Sequence, residues 1–390
     1  MKTKIVIGLG FGDEGKGLAT DYLCRQNRRP LVIRFSGGHQ AGHTVVLEDG
    51  RRHVFSSFGS GTLRGAPTYW SRFCTFYPIG FFNEWKALAA LGMKPRIYVD
   101  ALAPVTTPYE VYYNRALETV NAHGSCGLGF GATIERNESP YKLFVQDLFY
   151  PAVLEQKLGA IRQYYEQKSR TRPDDAIDDH IGFFKQVVQD ILPLFELVQE
   201  KAFFRRLQAD TLIFEGSQGV LLDMDHGFFP HVTRACTGPR NALELIRDNG
   251  LPEPDIYYIS RAYLTRHGNG PLPNEGQPAN VRSNPLETNQ YNPWQGQLRK
   301  APLDIDMLQY ALSSCRNYYA GLREHLALTC LDQVEGPLQA VEAGVLRTYG
   351  HPAALAKAIG FPFHSLLESY SDRSAGMVET VWGVRQGVEG

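Results

Sequence analysis

The sequence predicts an α/β fold, P-loop-like, with a mostly parallel central sheet flanked by helices and carrying inserted loops and small subdomains. Three observations predict it. The chain opens on a strand, a glycine loop and a helix. Short, nearly continuous apolar runs alternate with longer helical patterns, as in a parallel sheet covered on both faces. The unusual polar residues collect just after the apolar runs, where open parallel sheets gather ligands.

In chain order, the apolar run 5–7 enters G-L-G-F-G-D-E-G-K-G (8–17), and Leu18, Ala19, Tyr22 and Leu23 follow at helical spacing. Such a loop aims backbone N–H groups and a helix N-terminus at phosphate. Gly10 to Lys16 fits the P-loop spacing, but Gly17 stands where a magnesium-binding Ser or Thr belongs, and the loop carries Asp13 and Glu14 instead. Glu14 reads equally as an acidic first helical turn. Asp13 reads as the carboxylate that replaces the missing hydroxyl.

Strands are expected at 31–35, 96–100, 211–215, 255–259 and 326–331, and helices at 83–92, 110–121, 180–208 and 304–321. Pro193 should kink or split the third helix. The stretch 166–180 reads as a solvated connector and 269–302 as a long, mobile loop; neither divides the chain, so residues 1–390 read as one domain.

Composition bounds the function. The chain has 390 residues, 43% hydrophobic and 21% charged, with net charge −1. That suits a globular protein with a sizeable core and gives no electrostatic footprint for nucleic acid. No apolar run is long enough for a signal peptide or a membrane span. Six cysteines without a C-x-x-C pair suggest neither zinc nor disulfides and fit a reducing, cytoplasmic setting.

The remaining motifs follow the expected strands. S-G-G-H-Q-A-G-H-T (36–44) places His39 and His43 four apart among glycines, which argues against a zinc helix. A histidine there can donate to a phosphoryl oxygen or act as a general acid. G-S-C-G-L-G-F-G-A-T (124–133) suits a second phosphate. F-E-G-S-Q-G-V-L-L-D-M-D-H-G-F-F-P-H-V-T (214–233) combines a strand end with Gln218, Asp223, Asp225 and Thr233. T-R-H-G-N-G-P-L-P (265–273) and Asp332 complete the set.

Together these stretches resemble the adenylosuccinate synthetase family, in its motif order, from residue 5 to about 380. L-T-C-L-D (328–332) and S-Y-S-D-R (369–373) look like degraded forms of that family's purine-binding segments. The resemblance implies a ligase that joins aspartate to the 6-position of a 6-oxopurine nucleotide such as IMP, using GTP and magnesium. It makes Asp13 the base that takes the N1 proton and a magnesium ligand with the Gly42 carbonyl. Lys16, His43 and Gln218 join it in catalysis. It places nucleotide contacts at Gly12, Glu14, Gly15, Gly17, Gln40, Ala41, Thr44, Ser125, Cys126, Leu222, Thr233, Cys330, Asp332 and Ser371. Arg299 and Lys300 would meet the amino acid.

Several positions depart from the family. Gln40 replaces an Asn, and Ser125 must do the work of a Thr. Pro140 stands where an arginine would reach a neighbouring subunit's nucleotide, which bears on the homodimer that the resemblance implies. G-Q-L-R-K-A-P replaces an arginine-rich loop, and Cys330 replaces a base-stacking Lys. Two other readings stay open: a ligase acting on dGMP, as in some bacteriophages, and a nucleotide-binding ATPase or GTPase switch without ligation.

Overall fold

The computed structural model describes residues 1–121, 124–169, 176–287, 291–292 and 294–382. In chain order the N-terminal half runs β1 (Lys2–Gly8), α1 (Lys16–Gln26), β2 (Pro30–Arg34), β3 (His43–Val46), β4 (Arg52–Phe55), β5 (Thr68–Trp70), α2 (Pro78–Ala90) and β6 (Ile97–Asp100). Next come α3 (Pro108–Asn121), α4 (Phe130–Glu138), α5 (Pro151–Ser169), α6 (Ala176–Ile191), β7 (Glu196–Val198) and α7 (Glu200–Arg206). Then follow β8 (Thr211–Glu215), α8 (Arg240–Asp248), β9 (Pro254–Arg261), β10 (Tyr263–His267), β11 (Tyr291–Asn292), β12 (Gly296–Asp304), α9 (Ile305–Arg316) and β13 (Glu324–Thr329). The chain closes with β14 (Leu338–Glu342), β15 (Val345–Tyr349), α10 (Pro352–Ala358), β16 (Ser365–Ser369) and β17 (Met377–Val381).

Ten strands form the central sheet in the order β17-β16-β13-β9-β1-β8-β2-β5-β6-β7. Every neighbour pair is parallel except β16 with β17. β1 lies mid-sheet with β8 on one side and β9 on the other, so the loops leaving β1, β2, β8, β9 and β13 open on one edge. Ile5, Val6 and Ile7 are fully buried because helices cover both faces; each such side chain contributes about 1.5–3 kcal/mol relative to exposure. Layers on either face hold this central part together. A further cluster packs α2, α5 and α6 around Phe81, Leu158 and Phe184.

Two smaller sheets sit beside the site. β10, β12, β14 and β15 form one, with β11 added to β12, and β3 pairs with β4 in the other.

Three expectations change. The helix expected over 180–208 ends at Ile191; Pro193 lies in the short 3-10 turn Leu192–Leu194, and β7 and α7 follow. Proline removes the N–H that the next helical turn needs. The stretch 269–302 is not loop throughout, since β12 begins at Gly296 and pairs with β10 from His267 to Tyr263. The connector over 166–180 is shorter, because α5 runs to Ser169 and α6 begins at Ala176; residues 170–175 lie outside the described residues.

Candidate functional site

Glycine dictates how the first loop turns. Gly12 and Gly15 have φ of 95° and 93°, and Gly15 caps α1 in the left-handed region that favours glycine. The loop then closes on its own acid. Glu14 accepts from the N–H groups of Gly10 (3.0 Å) and Gly12 (2.8 Å) and from Lys16 Nζ at 2.5 Å. Both Lys16 and Glu14 are buried. A Cβ at Gly8 would collide with this carboxylate, and one at Gly219 would collide with the Gly10 carbonyl. The loop therefore wraps around a negative charge held at its centre, stabilised by charge-assisted bonds.

Asp13 adopts φ 62° and faces the cavity from the same loop. Its backbone carbonyl accepts from Arg261 Nε. Burial pushes its carboxyl above the ordinary aspartate range, while Arg261 and Lys16 pull it back. Thr329 Oγ1 donates to the Glu14 carbonyl at 2.7 Å, tying the loop to the end of β13.

His43 begins β3 and is buried. Its Nδ1 lies 2.7 Å from Glu215 Oε1 at the end of β8. Glu215 also accepts from Ser60 N–H at 3.1 Å and from the Ser60 hydroxyl. Burial would raise the Glu215 carboxyl, but His43, Arg34 and Ser60 hold it below the usual range. Burial lowers the His43 imidazole despite Glu215. The pair is then a carboxylate accepting Nδ1–H from a neutral ring, which fixes the tautomer. His43 Nε2 is buried with no partner among the described residues, as are both amide atoms of Gln40. Buried polar atoms without partners are uncommon, and both residues line the same cavity.

That cavity, about 1470 Å³, is large enough for more than one small molecule. Gly12, Asp13, Glu14, Gly15, Lys16, Gly17, Gln40, Ala41, Gly42, His43, Thr44, Ser125, Cys126, Gln218, Leu222, Thr233, Cys330 and Asp332 all line it, and so does Ser371. Gly124 and Gly127 take positive φ in the second loop, which ends on α4, and the Asn114 amide fastens Ser125 at 2.9 Å. Asp332 sits in a short turn after β13, 3.4 Å from Arg282.

Arg299 and Lys300 are not on this wall. Arg299 Nη2 donates to the carbonyls of Gly268 (2.6 Å) and Gly270 (2.9 Å), and Nη1 pairs with Glu275 at 2.8 Å. Lys300 lies near the Tyr263 ring. Strand pairing is the reason: β12 lies antiparallel to β10 with Arg299 opposite Arg266, and the turn after β10 folds over both guanidinium groups. Neither side chain lines the cavity, and their contact with the amino acid stays a proposal.

Sequence reading missed Glu215, Ser60 and Arg261. Glu215 was visible as the acid that ends an apolar run just before G-S-Q-G. Its partner is 172 residues away, so nothing local announced the pair.

Magnesium chemistry fits the wall. Asp13 and Gly42 both line the cavity, and magnesium is commonly held by one or two carboxylates plus substrate phosphates. Among the described residues no cluster of three or more His, Cys, Asp and Glu could hold a metal without a substrate. The six cysteines are free thiols, and no described helix is long and apolar enough to cross a membrane.

Comparison with known proteins agrees with this geometry. The adenylosuccinate synthetase family model matches residues 5–345. Adenylosuccinate synthetase 1 of Pseudoalteromonas translucida is 34% identical over 283 residues, covering 70% of this chain and 64% of that protein. The Bordetella avium enzyme is 30% identical over 289 residues, covering 70% of this chain and 65% of that one. The matched region thus spans slightly under two thirds of these relatives' length. Among solved structures, fully ligated adenylosuccinate synthetase from Plasmodium falciparum superposes with TM-score 0.77 at 18% identity, covering 98% of this chain and all of that one. Cyanophage S-2L succinoaminodeoxyadenylate synthetase, solved with dGMP and with dATP as energy donor, gives 0.66 at 18%, covering 97% and 95%. At such identity these two likenesses concern the fold.

Proposed function

We propose a ligase on one premise: the chain belongs to the adenylosuccinate synthetase family. The reaction joins the amine of aspartate, or a related amino acid, to C6 of a 6-oxopurine nucleotide, driven by GTP. The observation that carries this reading is Asp13. A loop that only cradles and hydrolyses a triphosphate needs its lysine and N–H groups. It has no use for a second, cavity-facing carboxylate whose charge burial disfavours. A carboxylate shifted upward is a better base near neutral pH.

In this reading Asp13 accepts the purine N1 proton, and O6 gains the negative charge that attacks the γ-phosphorus. Lys16 and the loop N–H groups balance the charge of the phosphates as GDP leaves. His43, oriented by Glu215, turns Nε2 toward the transferring phosphoryl group. The anionic phosphoryl group favours uptake of a solvent proton at Nε2, which then donates to an equatorial oxygen while the Glu215 carboxylate stabilises the imidazolium. The free aspartate amine then attacks C6, the C6–O6 bond breaks, and O6 leaves as inorganic phosphate carrying the proton that the amine gives up. Bound at Asp13 and the Gly42 carbonyl, magnesium would supply charge neutralisation for the triphosphate. Gln218 and Gln40 offer amide hydrogen bonds to the purine and its phosphate. The reading places the protein in the cytoplasm and carries a homodimer with it, which sedimentation velocity tests.

Incubating the protein with GTP or ATP, single amino acids, and IMP, dIMP, GMP or dGMP, and reading products by mass, tests the proposal. An aspartate adduct of IMP or dIMP supports it. An adduct only with dGMP moves the chain toward the chemistry suggested by the cyanophage enzyme's ligand. Phosphate release indifferent to amino acid and purine leaves a nucleotide-hydrolysing switch.

A further inference from the structure

Resting on the ligase reading, we propose that Arg234 grips the monophosphate of the purine substrate from within the same chain, exchanging a pair of glutamates for it. Arg234 follows Thr233 directly, and both line the cavity with Ser125, Phe130 and Gly131 at the second glycine loop. The other cavity cations are committed elsewhere. Lys16 belongs to the first loop. Arg261 holds the Asp13 carbonyl, Arg266 is spread over the carbonyls of Asn269, Pro271 and His231, and Arg282 stands at Asp332. Arg52 donates to the Leu286 carbonyl.

Arg234 differs in what it would leave behind. Nη2 pairs with Glu138 at 2.7 Å and Nη1 reaches Glu135 at 4.0 Å, with the arginine side chain 41% exposed. Ion pairs that open to water contribute little. Glu138 is more than half exposed, so water can solvate it once the arginine moves. Glu135 keeps Lys168 at 2.6 Å. Neither acid is stranded. A phosphate dianion offers the guanidinium two parallel acceptors and a larger charge. Gly131 lies directly against Arg234: a Cβ there would stand 3.9 Å from the Arg234 Cβ, at ordinary contact distance.

The test compares inosine 5′-monophosphate with inosine by equilibrium binding. Arg234→Gln should weaken the nucleotide by about tenfold to a hundredfold, the loss of charge-assisted bonds, and leave inosine unchanged. Glu138→Gln frees the arginine and should tighten the nucleotide by about twofold to fivefold, again sparing inosine. That second variant keeps the question open to an answer if Arg234→Gln folds poorly. Equal losses for nucleotide and nucleoside, no loss for either, or weakening by Glu138→Gln would overturn the assignment and leave Arg234 as a clamp between α4 and its own loop. Wild-type protein that binds neither ligand overturns the reading of IMP as substrate and this assignment with it.

Discussion

Two glycine-rich turns in this molecule hold cations in opposite ways. In the turn after β1, Lys16 meets a carboxylate, Glu14, that the same loop grips with two N–H groups. In the turn after β10, Arg266 and Arg299 meet the carbonyls of Asn269, Pro271, Gly268 and Gly270. N–H groups converging on an acid make a cradle for an anion, because a phosphate can present the same acceptors. Carbonyls converging on a guanidinium consume its donors and build a scaffold. Burial brings the Arg266 pKa down to about 10, with Arg299 beside it adding repulsion, and those carbonyls together with the Glu275 carboxylate offset the crowding. Glycine content alone does not separate a site from a scaffold; the polarity of the backbone groups that point inward does.

The largest expected effect lies in the first turn. Asp13→Asn keeps shape and hydrogen-bonding capacity but removes the base, so ligation should fall by about 10²–10⁴-fold. Nucleotide affinity should stay within about tenfold. His43→Ala should likewise cost turnover more than affinity. Single-turnover rates with quantified adenylosuccinate-type product measure both, and near-normal turnover in either variant removes that residue from the chemistry.

Glu14→Ala is next. It strands the buried ammonium of Lys16 and the N–H groups of Gly10 and Gly12, and removing one partner of a buried pair costs about 3–5 kcal/mol. An anion should restore what the carboxylate supplied, so millimolar GTP or sulfate should recover much of the lost melting temperature. A loss that no anion repairs would mean the loop is a scaffold like the second turn.

Arg299→Leu tests the second turn. As a scaffold it should cost about 1–3 kcal/mol in stability through its lost charge-assisted bonds, with both substrates weakened together as the turn loosens. A rise in the amino-acid KM alone, well over tenfold and with unchanged melting, would make Arg299 a substrate ligand after all.

This contrast also marks how far the sequence could be read. The strands and the loops that leave them were legible because apolar runs, glycines and helix starts are local patterns. The lining residues from Gly12 to Thr44 follow directly from them. The backbone contacts of Arg299 were not legible. A basic residue in a polar stretch looks the same whether it faces substrate or backbone, and the register of β12 against β10 decides which. The Glu215–His43 pair was hidden for a related reason, since only the sheet order β1-β8-β2 brings the two ends together. Glu14 reads locally as a helix-turn acid and turns out to be the pin at the centre of the loop.

The smallest expected effect has the opposite sign, and it separates function from stability within the first turn. Asp13 has a folded-state pKa above its ordinary 3.8 because burial disfavours the charge. Between those two values the folded protein holds a proton that the unfolded chain has lost. Folding stability therefore falls as pH rises through that window, and the cost is fully present above the raised value. Below 3.8 both states are protonated and the cost vanishes. Asn carries no charge and tolerates the left-handed backbone that Asp13 adopts at φ 62°. Asp13→Asn should accordingly melt about 1–3 °C higher than wild type at neutral pH. The gap should close as pH falls toward 4. His43 does not confuse the comparison, because its own lowered pKa destabilises both proteins alike on acidification. A variant that melts lower than wild type at pH 7, or a gap that widens in acid, would mean that Asp13 is held as a paired, stabilising carboxylate. It would then resemble Glu14, and the base of the proposed reaction would have to be sought elsewhere on the cavity wall.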